Sequence, residues 1–219
     1  MRISKTQNMR SFALVHRSFL LCGVLLAGCQ SSKTAYSGFL GDYSGLRANP
    51  DLDGAMAYES ATKSLKDYDK FMIDPVIVHF APNAKGTAID PAKVKKLTDF
   101  AAEQLRESLS KRYQVVSAGG PGVLRLRVAL TDIKKTIPAL NIHPGTKLSG
   151  VGLGGASMEA EAIDSQSGER VLAVVDSGKG SFMAIKAGLD PLGHAKEVIR
   201  KWADRFVKRV DKAHGYTGS

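Results

Sequence analysis

Glu159 and Glu161 stand two apart in the alternating stretch from Ala156 to Asp164. That spacing puts both carboxylates on one face of a strand. Paired carboxylates can do acid–base work, but Arg125 and Arg127 repeat the spacing in the stretch from Val123 to Asp132. Cross-strand ion pairs on an exposed sheet face account for all four side chains, each pair contributing about 0.2–1 kcal/mol. The same four residues are the candidate lining of a ligand-binding face. Gly150-Val151-Gly152-Leu153-Gly154-Gly155 has the glycine density of a phosphate loop, yet such a loop follows a strand and opens a helix, whereas these glycines precede a strand. With Leu148, Val151 and Leu153 it reads as a contact loop. Ser108 and Lys111 have Ser-x-x-Lys spacing, but they sit at the end of a helix whose apolar stripe already explains them. His16, His79, His143, His194 and His214 show no metal-ligand spacing. Neither a Gly-x-Ser-x-Gly elbow nor His-Glu-x-x-His occurs. No enzymatic activity, no metal and no cofactor are expected.

The elements that carry these residues follow from periodicity. Val76 to Phe80 reads as a strand, with Val76, Val78 and Phe80 on one face and Pro75 at its start or on an edge. Asp90 and Pro91 open a helix to about Arg112, with Val94, Leu97, Ala101, Leu105 and Leu109 as its stripe. Strands follow at Tyr113–Val116, Val123–Asp132, Ala156–Asp164 and Arg170–Asp176, the last two joined by a hairpin turn. A last helix starts at Pro191, with Leu192, Ala195, Ile199, Trp202, Phe206 and Val210 inward. The basic residues off that stripe read as a solvated face. Residues 53–66 read as a short helix or an irregular connection. Phe39, Leu40, Tyr43 and Leu46 read as a loop laid onto the core. The fold class is α+β: one twisted, mostly antiparallel sheet with two main helices on one face, in the order strand, helix, four strands, helix.

The N-terminus carries Arg2, Lys5, Arg10 and Arg17 with no acid, then an apolar run from Ser18 to Ala27. That run is too short for the roughly 20 residues of a membrane span, and the order is that of a secretory signal. Met9, with Arg10 and Arg17 after it, would also open a complete signal. Leu26-Ala27-Gly28-Cys29 resembles the lipobox of bacterial lipoproteins. The resemblance implies a signal peptide over 1–28, lipid on Cys29, a tether over 29–37 and one domain over 38–215. Gln30 in place of aspartate implies, by the sorting rule of enteric bacteria, the outer membrane with the domain facing the periplasm. Removing that leader, with its four basic residues, from 219 residues of formal charge +10 leaves 191 residues at +6. The basic balance is therefore no nucleic-acid footprint. Cys22 would leave with the leader, so the mature domain rests on its core alone.

Ser37-Gly38-Phe39-Leu40 with Asp42-Tyr43-Ser44, Tyr68-Asp69-Lys70 with Ile73-Asp74-Pro75-Val76, Leu124-Arg125-Leu126 with Ala129-Leu130-Thr131-Asp132, and Gly154-Gly155-Ala156 with Glu159 and Asp164 resemble the bacterial lipoprotein family DUF3313. The family has no established activity, so the resemblance implies fold and address and transfers no catalytic residue. The expected role is a non-enzymatic binding or assembly subunit, partnered by the membrane through Cys29 and by an envelope protein. The competing role is a small-ligand or glycan binder on the face of Arg125, Arg127, Glu159 and Glu161.

Overall fold

The structure, a computed structural model, describes residues 35–51, 54–137, 153–180 and 189–216. The signal peptide, Cys29, Leu148 and Val151 lie outside those residues. Helix α1 spans Pro91–Ser110. Its Asp90 cap accepts the Ala92 N–H at 2.8 Å, and Pro91 occupies a position whose N–H would have no helical partner anyway. Helix α2 spans Gly193–Ala213. Pro191 lies in the turn before it, and Leu192 is the cap residue.

The strands are β1 (Arg47–Ala48), β2 (Met56–Glu59), β3 (Lys70–Ile73), β4 (Ile77–Val78), β5 (Gln114–Val116), β6 (Val123–Lys134), β7 (Gly155–Asp164) and β8 (Arg170–Lys179). They form one sheet in the order β1-β2-β8-β7-β6-β3-β5, with β4 also paired to β6. The α+β class and the single sheet are as the periodicity implies, and four strands follow α1. Four short strands, β1 to β4, precede it, where the periodicity implies one. Of the expected short helix or irregular connection over 53–66, the described residues 54–66 hold β2 and no α-helix, because β2 pairs antiparallel with β8 and gains its order from that neighbour. Lys70–Ile73 is a strand between β5 and β6, parallel to both. The parallel pairing of β3 with β5 requires a crossover, and α1 is part of that connection.

Alternation along β6, β7 and β8 gives the sheet two faces. Leu124, Leu126, Leu130, Met158, Ala162 and Leu172 face the helices, where they meet Leu97, Ala101, Leu109, Val198, Ile199, Trp202 and Val210. Asp176 on this face accepts from Trp202 Nε1 at 2.8 Å and pairs with Arg205. The opposite face bears Arg127, Ala129, Glu159, Glu161, Ala173 and Val175.

The β7–β8 turn is built around Asp164. Its Oδ1 accepts the N–H of Gln166 at 2.9 Å and of Ser167 at 2.8 Å. Its Oδ2 accepts from the Tyr68 hydroxyl at 2.8 Å and from Lys63 Nζ at 3.1 Å. Gly168 completes the turn at φ 73°, where glycine has no steric cost. The Ser167 N–H foremost, then Tyr68 and Lys63, hold the Asp164 carboxyl well below the usual carboxylate range, against the opposing effect of burial. Its folded value is depressed, so its stabilisation is present above the unfolded carboxylate value near ~3.9 and is lost as pH falls through the folded one. Asp164→Asn is expected to cost about 1–3 kcal/mol at pH 7. Urea denaturation from pH 7 down to pH 2 should then show a shallower loss of stability in the variant than in the wild type.

Candidate functional site

The face of the sheet turned away from the helices is covered by the strap from Ser37 to Leu46. Gly38 and Gly41 let the strap turn, at φ 100° and 72°. Leu40 and Leu46 pack on Ala173 and Val175, with Phe39, Tyr43, Met56 and Tyr58 around them. This is the packing that the apolar residues of the strap imply.

Polar groups lock the strap in place. Glu159 is 0% exposed. Its Oε1 accepts the Ser37 N–H at 2.5 Å and its Oε2 accepts the Tyr43 hydroxyl at 2.5 Å. The Tyr43 oxygen in turn accepts the N–H of Gly38 at 2.8 Å and of Leu40 at 3.3 Å. Burial, then the bond to Glu159, pushes the Tyr43 phenol up from its ordinary value. Glu161 is 5% exposed. It pairs with Arg127, its cross-strand neighbour, and accepts from Arg170 Nε at 2.8 Å. Arg170 then spends its remaining nitrogens on the strap, reaching the carbonyls of Asp42 at 2.8 Å and Leu40 at 2.7 Å. The Arg127 guanidinium lies 5.1 Å over the Phe39 ring.

Three of the four charged candidates therefore come together, but not as an exposed face. Glu159 and Glu161 are buried because the strap lies over them. Glu159 stands opposite Ala129, not opposite an arginine. Arg125 stands opposite Ile163 and instead forks onto Asp74, at 2.7 Å to Oδ2 and 2.9 Å to Oδ1. The carboxylate oxygens are committed to the strap and to arginines, which leaves them poorly placed to move protons for a substrate. A groove of about 520 Å³ remains beside them, lined by Leu40, Asp42, Tyr58, Arg127, Glu161 and Arg170 among others. Leu153 is half-buried, two residues before β7. His79 is exposed beside Phe39, and buried His194 accepts the Gly154 N–H on Nδ1 at 3.2 Å.

Arg170 and Tyr43 were missed as site residues. Arg170 carries a readable signal, since the hairpin brings it beside Glu161 on the same face. Tyr43 reads in the sequence only as an apolar ring; its hydroxyl matters because the fold sets it against a buried carboxylate.

The family described as "Protein of unknown function (DUF3313)" matches residues 35–206. The chain is similar to the uncharacterized lipoprotein YdcL of Escherichia coli, at 26% identity over 200 residues, covering 82% of this chain and 88% of that one. Among solved structures it is similar to the PelC dodecamer of Paraburkholderia phytofirmans, at 14% identity and a TM-score of 0.39, over 68% of this chain and 96% of that one. It is also similar to the hypothetical protein CT253 of Chlamydia trachomatis, at 10% identity and a TM-score of 0.42, over 65% and 98%. These structural likenesses are too distant to bear on function.

Tyr43→Phe removes one donor from the buried Glu159 carboxylate and the acceptor of two strap N–H groups. It is expected to cost about 1–3 kcal/mol in urea denaturation. Limited proteolysis should then cut between Ser37 and Leu46 before any other part of the domain.

Proposed function

The chain belongs to the family described as protein of unknown function DUF3313, and we propose that it is a lipid-anchored envelope protein that works by binding or assembly. In this reading residues 1–28 are removed, Cys29 is lipidated, and the domain faces the periplasm from the outer membrane. The lipoprotein name of its relative supports the anchor. Among the described residues no helix is long and apolar enough to cross a membrane.

The observation that carries the proposal is the docked strap. Eight peptide steps separate Cys29 from Ser37, about 28 Å at full extension. Ser37 is itself bonded to buried Glu159. A lipid on Cys29 would thus hold the strap-covered face near the bilayer and leave the helices and sheet ends for partners. Gly155 pairs with Lys179, so the β6–β7 and β8–α2 connections leave from the same end of the central strands. Those connections, with Leu148, Val151 and Leu153 in the first, are the proposed contact region for an envelope protein. The ligand or glycan reading has the groove beside Arg127 in its favour. Its arginines, however, are already engaged by Glu161 and by strap carbonyls.

Crosslinking in intact cells, with recovery through a C-terminal tag, should return a reproducible envelope partner from the wild type. Recovery should fall at least tenfold with Cys29→Ala. Equal recovery from the unlipidated protein would contradict an anchored assembly role.

A further inference from the structure

Helices α1 and α2 pack on the sheet but leave the middle of its face partly open. Val128, Ala160 and Val174 form a cross-strand row on the three central strands, beneath the helices, yet all three remain half-buried. Above them lies an apolar slot with Leu105 on one wall and Trp202 and Phe206 on the other. Alanines stand where larger side chains would fill it: Ala160 and Ala162 on β7, Ala101 on α1 and Ala203 on α2. The slot holds a water-accessible volume of about 70 Å³, a narrow cleft and not a roomy pocket. Its lining offers hydrocarbon contact and almost no hydrogen-bonding group, so its ligand must be hydrocarbon at that end.

A second feature adjoins the slot. One helical turn beyond Leu105, and beside Ala203 and Phe206 in the chain, a groove of about 810 Å³ runs between the C-terminal ends of the two helices. It presents Ser108 from α1, Lys111 and Arg112 just past its end, and Lys208 and Lys212 from α2. Lys111, Lys208 and Lys212 are exposed. The groove's acids are Asp204 and Asp211. Asp211 already accepts from Tyr113 at 2.6 Å and lies 3.7 Å from Arg112. Cations at helix C-termini also offset the carbonyl ends, so the groove alone assigns nothing. Its position at the end of an apolar slot does.

We infer that the slot between α1 and α2 takes the acyl chain of a single-chain anionic lipid, with the headgroup held by Lys111, Lys208 and Lys212. The shared chemistry is one alkyl chain and one negative head, as in a free fatty acid or a lysophospholipid. This site is separate from the strap and does not depend on the anchored assembly role.

Trp202 is the sole tryptophan of the chain and lines the slot, so its emission reports on occupancy. Lipid-stripped mature protein is titrated with 9,10-dibromostearate below its critical micelle concentration, because bromine quenches an indole only at contact distance. Saturable quenching is expected. Unbrominated palmitate or lysophosphatidylglycerol should reverse it, and which one does so more strongly identifies the source of the lipid. Ala160→Leu fills the floor and should weaken binding at least tenfold. Ala162→Val serves the same purpose if the first variant does not fold, as judged by circular dichroism. Lys208→Glu with Lys212→Glu should weaken binding of the acid several-fold and leave that of its methyl ester unchanged. Absent or non-saturable quenching overturns the inference, as does quenching that neither displacing lipid reverses or that survives a folded slot-filling variant. Equal binding of acid and ester by wild type overturns the anionic headgroup.

Discussion

A carboxylate cannot stay buried without donors, and Glu159 is buried at the centre of a sheet face. The sheet itself does not supply its donors. They come from the Ser37 backbone and the Tyr43 hydroxyl, more than 110 positions away in the chain. The strap and the sheet face therefore depend on each other. Without the strap, Glu159 loses its partners and Ala173 and Val175 lose their apolar cover. Without Glu159, the strap keeps hydrophobic contacts but loses the bonds that set its register. Glu161 extends the same logic through Arg170, whose guanidinium joins the sheet carboxylate to two strap carbonyls. Breaking one side of such a buried pair costs more than the pair contributes, because a charge is left without a partner.

The two faces of the sheet thus do different work. One is closed by helices that pack apolar residues against it, leaving a slot where alanines stand in the centre. The other is closed by the strap, which is joined directly to the segment leading back to Cys29. In the proposed function this second face sits close to the membrane, and the strap fixes how the domain is presented. The apolar slot and its lysines then lie on the helix-covered side, so lipid binding and anchoring draw on different residues.

Much of the fold is legible in the sequence because it is written in local periodicity. The stripe from Leu97 to Leu109, the alternation from Leu124 to Leu130 and the Asp90-Pro91 cap each predict their own element. What was not legible depends on distant partners. Met56–Glu59 and Lys70–Ile73 are four-residue strands, too short for alternation to distinguish them from loop; their neighbours β8 and β6 make them strands. The site is half legible for the same reason. The alternating Glu159 and Glu161 announce a charged face, and Arg127 meets Glu161 by register. Nothing local says that Ser37 and Tyr43 cover Glu159, or that Asp74 draws Arg125 away. The exposed ion-pair face expected from spacing is, in the folded chain, the buried seat of the strap.

Amide hydrogen exchange on wild type and Glu159→Gln tests this dependence most directly. The strap amides of Gly38, Leu40 and Leu46 should be protected in the wild type and exchange at least tenfold faster in the variant. The amides of β6 should keep their protection. A strap that exchanges at the unprotected rate in the wild type, or equally slowly in both proteins, would contradict the central role of Glu159.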